Sequence, residues 1–359
     1  MKYKPPSRVT WDDFCERFET EVLPSQAEKT ANLTITVFNA VRRIIDPKML
    51  VALNAEQISL MQSKLRKAGC AEASIQAYMR QLKAALRWGH RQGMLNSVPN
   101  IEMPKKVNTM KGRPIAAEEF ERMLSNVADG LLNVKRSRRD QKRKQRATVD
   151  DAVVESWQHL LRGLWWSGLR LGEALILHWT DDRNLVIDLS GRRPMIRIRA
   201  HAQKSRKEER LPIAPEFAEF LFQTPEDERT GFVFNPIPRK KQSGRLKVEW
   251  ASAAISAMGE QAIVKVAEND KGKVKFASAH DLRRAFGFRW SNRVMPPILQ
   301  QMMRHASIQT TMEFYVGRDA DAAADAIWDS VVDTFVDTTP QTKKATPLPT
   351  SHSVATERV

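Results

Sequence analysis

The chain holds only two cysteines, Cys15 and Cys70, in 359 residues. They supply neither a disulfide framework nor a structural zinc site, and they fit a reducing compartment. The opening residues, Met1-Lys2-Tyr3-Lys4-Pro5-Pro6, lack the apolar stretch of a secretory signal. Long hydrophobic runs are missing too. The most apolar stretch, Gly163 to Trp179, carries Arg170 and Glu173 and falls short of the ~20 residues that span a bilayer. No internal repeat is visible. These absences lead us to expect a soluble, cytoplasmic protein. Acidic charge is also in short supply: 42 Asp and Glu face 58 Lys and Arg, leaving +16. So large an excess points to a polyanionic partner, nucleic acid ahead of a membrane surface, although basic proteins with no such partner share the signature. Tyrosine is scarce as well. There are three, and Tyr3 and Tyr78 lie far upstream of Tyr315.

What is present suggests two domains, which the chain is long enough to fill with separate cores. Residues 1–100 read as a small helical domain. Trp11 to Glu21 alternates apolar and acidic residues at helical spacing, and helical segments follow near Lys29 to Ile45, Asn54 to Lys67 and Ala71 to Gln92. In the last, Ile75, Tyr78, Met79, Leu82, Leu86 and Gly89 form a stripe expected to be buried. Arg80, Lys83, Arg87 and Arg91 recur on another face. Such a row is either a solvated face or a set of phosphate contacts, and the net charge favours phosphate.

Residues 101–114 hold the core of a proline-containing, basic stretch without apolar period, running from Pro99 to Pro114 and including Lys105, Lys106 and Lys111; it reads as a linker. A second domain is expected over 115–335. It opens with a helix from Ala116 to Ala128, followed by a run from Lys135 to Arg146 with eight basic residues and one acidic. That run is equally readable as a solvated loop or a DNA-tracking arm. A helix from Val149 to Ser167 leads to another from Leu171 to Trp179. Strands are expected at Asn184 to Leu189, Met195 to Arg199 and Glu209 to Ile213, with mainly helical structure afterwards. Residues 336–359, rich in Thr, Pro and Ser, read as a disordered tail. The fold class is therefore mainly α with a small β-sheet.

Several reactive side chains follow one another along this second domain. Arg170 stands in Ser167-Gly168-Leu169-Arg170-Leu171-Gly172-Glu173 at the mouth of a helix. Guanidinium binds phosphate oxygens in pairs and stays charged, so Arg170 is a phosphate ligand or one half of an ion pair with Glu173, and the two roles are compatible. His280-Asp281-Leu282-Arg283 places His280 and Arg283 on one helical face, with Arg284 turned elsewhere into a structural role. Further on come His305, then Ser307 as a helix cap, then Tyr315. A phenol has a pKa near ~10, so a tyrosine nucleophile needs strong cations beside it. Most helical tyrosines are simply packed aromatics, and Tyr315 stands out by the residues that precede it. Together they are the parts of a metal-free phosphoryl transfer.

This set resembles the tyrosine recombinase, or phage integrase, family over most of the chain. The N-terminal domain looks like the family's helical, SAM-like core-binding domain, and the second like its catalytic domain, a fold shared with type IB topoisomerases. The resemblance implies that Arg170 is the first catalytic arginine and that Lys204 is the β-hairpin lysine protonating the leaving 5′-oxygen, with Lys207 its neighbour and competitor. It further implies that His280 and Arg283 form the His-x-x-Arg box, that His305 is the second histidine and that Tyr315 is the nucleophile. Two positions depart from the family pattern. Arg304 stands where a glycine usually precedes the second histidine. The tyrosine usually follows that histidine by nine residues, where Phe314 stands here, and Tyr315 comes one later.

The implied reaction breaks and rejoins duplex DNA without cofactor, metal or ATP, through a 3′-phosphotyrosyl ester and a free 5′-hydroxyl, in integration or excision of a mobile element. The resemblance also implies a monomer free in solution, four protomers at synapsis, a Holliday junction, and accessory DNA-bending factors. A DNA-binding protein of this fold without catalysis is the alternative, and a topoisomerase that merely relaxes DNA is a more remote one.

Overall fold

In a computed structural model, the described residues are 8–105, 112–134, 148–181, 183, 185–200, 208–239, 244–268, 272–315 and 328. The chain divides into two compact units, Met1–Thr109 and Met110–Val359.

The first unit is built on four helices: α1 (Trp11–Glu21), α2 (Glu28–Ile44), α3 (Ala55–Lys67) and α4 (Glu72–Arg91). Their starts follow from local chemistry. Thr10 Oγ1 accepts the Asp13 amide at 3.1 Å, and Asn54 Oδ1 accepts that of Gln57 at 2.9 Å, each satisfying a helix-terminal donor. The stripe on α4 is buried at Ile75, Met79, Leu82, Leu86 and Gly89 and half-buried at Tyr78. It packs with Trp11, Phe14, Phe18 and Phe38 into one aromatic-rich core. Gly89 permits the closest approach, since a β-carbon there would lie 2.8 Å from the Phe14 ring. On the other side, Arg80, Arg87 and Arg91 are exposed and Lys83 half-buried. The proline-containing stretch starts inside this unit. Ile101 belongs to its core, and the side chains of Gln62 and Gln76 donate to the carbonyls of Glu102 and Pro104.

The second unit opens with Arg113, whose amide donates to the Val266 carbonyl at 3.0 Å. Where one helix was expected from Ala116 to Ala128 there are two, α5 (Ala117–Ser125) and α6 (Val127–Asn133). The break falls at Asn126, whose side chain donates back to the Arg122 carbonyl at 2.8 Å, competing with the helix's own bonds. The long α7 (Asp151–Ser167) follows, and then the short α8 (Leu171–Ile176). The helix expected to reach Trp179 stops early and continues as strand β1 (Leu177–His178). The reason is a change of period: Leu177 and Trp179 are buried on either side of half-buried His178. Backbone bonds join this segment to residues 231–233.

β1 pairs in parallel with β2 (Leu185–Asp188), which pairs antiparallel with β3 (Met195–Ile198), which in turn pairs with β4 (Glu209–Pro212). Pro212 is tolerated because β4 is an edge strand. Then come α9 (Pro215–Phe222), α10 (Val248–Gln261), the hairpin β5 (Lys265–Glu268) and β6 (Val274–Phe276), α11 (Ala279–Ser291), α12 (Pro296–Met303) and α13 (Ile308–Tyr315). The β5–β6 hairpin interrupts a region expected to be helical. The helices and the four-stranded sheet share one apolar core, and a smaller cluster of Phe286, Leu299, Met302 and Met303 joins α11 to α12. The fold is mainly α with small sheets. Among the described residues no helix is long and apolar enough to cross a membrane.

Candidate active site

The site begins where α7 ends. Gly168 closes that helix in the left-handed conformation (φ +63°), and a β-carbon there would lie 2.2 Å from the Phe286 ring. Glycine is therefore required on two grounds, conformation and close approach. This turn aims the Gly168 carbonyl at Arg283, whose Nη1 donates to it at 2.5 Å. Two residues on, Arg170 starts α8. Glu173 Oε2 accepts the Arg170 amide at 3.0 Å, and its Oε1 accepts Arg170 Nη1 at 2.9 Å. Arg170 is not buried: its side chain is 47% exposed against 16% for Glu173, so the pair presents the arginine outward.

Arg283 is the opposite case, only 3% exposed. Its second terminal nitrogen donates to the Met303 carbonyl, so two backbone oxygens fix the plane of the guanidinium. The helix carrying it, α11, is pinned at its first turn by Asp281, which is fully buried. That carboxylate accepts from the amide and hydroxyl of Ser278 (3.0 and 2.6 Å), from Lys275 Nζ (3.3 Å) and from Arg284. Arg284 is thus a buried structural partner of Asp281. His280 sits at the same turn as an exposed residue. Lost hydration around its ring, then the charges of Arg284 and Arg283, hold the imidazole below the usual histidine range, and water at its open edge tempers the shift.

The turn between α12 and α13 completes the cluster. Arg304 terminates α12 in the left-handed conformation (φ +47°, ψ 50°), which costs a residue with a β-carbon about 1–2 kcal/mol. Its carbonyl accepts Arg170 Nη2 at 3.1 Å, while its Nη1 donates to Glu173 Oε1 at 2.6 Å and its Nε lies 3.7 Å from Glu209 Oε2. Next to it, His305 is held by reciprocal bonds with Gln300, from its amide to the Gln300 carbonyl and from Gln300 Nε2 to its own carbonyl, both 3.1 Å. The ring places Nδ1 2.9 Å from Thr311 Oγ1. Burial, followed by the charges of Arg283, Arg170 and His280, pushes this imidazole down to about 4.

Arg170, Glu173, His280, Arg283 and His305 therefore come together around one turn. Tyr315 is the last residue of α13, a helix packed on α11 and α12, and Ser307 caps that helix by accepting the Gln309 amide at 3.2 Å. The structure describes the Tyr315 backbone and not its side chain. Lys204 and Lys207, the Lys135 to Arg146 run, Lys106, Lys111 and residues 336–359 lie outside the described residues. Exposed Lys105, with Arg80, Lys83, Arg87 and Arg91, belongs to the first unit. Sequence reasoning missed Thr311, Glu209, Lys275 and the three carbonyl oxygens. A backbone oxygen leaves no trace in a sequence except through a glycine such as Gly168. Arg304 was visible only as the residue in the place of a glycine.

Residues 115–321 match the model of the phage integrase family. No curated protein sequence matches the chain. Among solved structures, a lambda integrase dimer bound to a COC′ core site is similar with a TM-score of 0.62 at 14% identity, covering 87% of this chain and 98% of that one. A lambda integrase tetramer bound to a Holliday junction reaches 0.61 at 15% identity, over 89% of this chain and 83% of that one. A Tn1549 transposon integrase in complex with a circular intermediate DNA gives 0.60 at 14%, over 90% and 100%. At such low identity the likeness carries the fold.

Proposed function

The chain belongs to the phage integrase family, and from that premise we propose that it is a site-specific recombinase in which Tyr315 cleaves one strand of duplex DNA at a time. The phenolic oxygen attacks a scissile phosphate, a 3′-phosphotyrosyl bond forms, and the bond to the 5′-oxygen breaks. The ester keeps the energy of the phosphodiester, so a second 5′-hydroxyl reverses the attack on another strand. As the bond forms the phenolic proton passes to the neutral His280 ring or to water, and Lys204 gives a proton to the departing oxygen.

Arg170 and Arg283 supply fixed positive charge to the non-bridging oxygens of the transition state. His305 contributes differently. At neutral pH its ring is uncharged in the free enzyme; in the tautomer whose Nδ1 accepts from the Thr311 hydroxyl, the proton sits on Nε2 and can be donated to a phosphate oxygen. The negative charge of a bound phosphate raises the affinity of both histidines for protons, and His280 then assists proton transfer. The observation that carries this reading is the shared turn: carbonyls of Gly168, Met303 and Arg304 hold the two arginines that S-G-L-R and H-x-x-R provide, with His305 beside them.

Arg80, Lys83, Arg87, Arg91, Lys105, Lys106 and Lys111 provide sequence-independent affinity for the phosphate backbone. The active assembly is four protomers at synapsis, formed from monomers in the cytoplasm and acting at the nucleoid, with accessory DNA-bending factors and with integration or excision of a mobile element as the outcome.

A duplex nicked next to the cleavage site tests the chemistry, because loss of the short fragment traps the enzyme covalently. The wild-type chain should form a phosphotyrosyl adduct stable on a denaturing gel. Tyr315→Phe should bind DNA within about twofold of wild type and form none, since affinity comes from many Lys and Arg contacts. An undiminished adduct in that variant removes Tyr315 from the mechanism.

A further inference from the structure

Arg304 is a basic residue of the cluster to which neither arginine box nor histidine position assigns a role. It occupies a backbone conformation that side chains disfavour, yet its side chain is largely buried, 16% exposed. Three contacts explain why it is there. Its Nη1 and that of Arg170 meet the same oxygen, Glu173 Oε1, at 2.6 and 2.9 Å. Its own carbonyl accepts the other terminal nitrogen of Arg170 at 3.1 Å. Its Nε faces the Glu209 carboxylate at 3.7 Å, at the first residue of β4.

The shared oxygen matters most. A carboxylate paired with one arginine neutralises it, and a neutralised Arg170 has little charge left for a phosphate. A second guanidinium on the same carboxylate changes that balance, because Glu173 is then hydrogen-bonded to two cations, while Glu209 stands 3.7 Å from Arg304 and is 43% exposed, so water screens its charge. Glu173 keeps its orienting role through the Arg170 amide while Arg170 retains net positive charge.

On the recombinase reading above, we propose that Arg304 is a positioning residue that replaces glycine at this turn in order to keep Arg170 both fixed and cationic. It touches no reacting atom. It acts by competing for Glu173, by presenting its carbonyl to Arg170, and by tying the end of α12 to the starts of α8 and β4. The ion pairs to Glu173 and Glu209 offset the strain of its backbone.

Single-turnover trapping on the nicked duplex tests this at saturating DNA, with Arg304→Gly and Arg304→Lys compared against wild type. Glycine removes the side chain and relieves the backbone. It should slow adduct formation by about ten- to a hundredfold, within the range seen when a transition-state donor is weakened. DNA affinity should stay within about threefold. Lysine keeps the charge without the fork and should fall between the two.

The discriminating substrate carries a methylphosphonate at the scissile position, which removes one negative oxygen and with it the demand for cationic charge. On it, the gap between wild type and Arg304→Gly should shrink to about threefold or less. Equal gaps on both substrates would assign Arg304 a purely structural role, and no gap on the diester would leave it without one. A large loss of affinity would make it a DNA contact instead. Each of these three results overturns the proposal. If the glycine variant folds poorly, Arg304→Asn provides the same comparison, since asparagine tolerates the left-handed conformation. Failure of the wild-type chain to form any adduct would instead overturn the recombinase reading itself.

Discussion

The cations of the two units are held in opposite ways. On α4, Arg80, Arg87 and Arg91 are exposed, and no acidic residue pairs with them among the described ion pairs. In the second unit each arginine of the site is fastened: Arg283 to two carbonyls, Arg170 to a carboxylate and a carbonyl, Arg304 to two carboxylates. Loose cations neutralise phosphate wherever it lies, and their long side chains adapt to it. Fixed cations aimed at one position need no reorganisation when charge develops there. On the function proposed above, the difference separates affinity from chemistry, with the first unit gripping and the second reacting.

The sharpest break of that division comes from within the site, by setting Arg283 against Arg170. Arg283→Lys keeps a charge but cannot bridge Gly168 and Met303 while meeting a phosphate. Its single-turnover rate should fall on the order of a hundred- to a thousandfold. Two buried carbonyls would also lose a partner, at about 1–3 kcal/mol each, so the thermal midpoint should drop as well. Arg170→Lys, at an exposed position, should lose rate with little change in midpoint. Trapping kinetics beside thermal melts on both variants would check this. A lysine at 283 with normal stability would mean that the two carbonyls do not depend on Arg283.

Much of this was legible beforehand, for reasons visible in particular residues. The stripe on α4 fixed its buried face because apolar side chains recur there at helical spacing over about four turns. Arg170, His280, Arg283 and His305 could be named as candidates because their chemistry is rare in combination. What was missed depends on long-range geometry. The stop of α8 at Ile176 is set by pairing of Leu177 and Val233 far apart in sequence. The β5–β6 hairpin is short and only partly apolar, and its pairing is broken by an irregularity between Lys265 and Ala267. Thr311 gave no sign of facing His305, since threonine on a helix usually bonds its own backbone. Glu209 read as one strand residue among several, and only the fold brings it to Arg304.

A second, intermediate effect should appear in stability against pH, and it too separates the units. His305 sits at about 4 when folded, against 6.5 for an ordinary histidine. The unfolded chain therefore takes up a proton as pH falls below about 6.5, and the folded chain resists until about 4. Stability is thus full above the unfolded value and is lost as pH falls across this window. Allowing for screening, the loss is on the order of 1–2 kcal/mol, several degrees in the melting midpoint. His305→Asn should flatten that pH slope in the second unit's transition, whatever its own stability at pH 8. Equal slopes in wild type and variant would mean that His305 is not held neutral in the folded state.

The smallest effect on chemistry should come from the first unit, where the number of altered charges is largest. Replacing Arg80, Lys83, Arg87 and Arg91 together by Gln removes four cations without uncovering the apolar stripe behind them. Each phosphate contact contributes about 0.9 to the slope of log affinity against log salt, so the slope should flatten by up to roughly 3–4. Binding should weaken alike on specific and random duplexes, because these side chains meet phosphates and not base edges. Once protein is raised to saturate the nicked duplex, the rate of adduct formation should match wild type within about twofold. Filter binding across a salt series, paired with trapping at saturation, measures both quantities. A rate that stays low at saturation would show that α4 takes part in aligning the scissile phosphate. A salt slope that does not change would return its basic face to the solvent, and the division between gripping and reacting would need another set of cations.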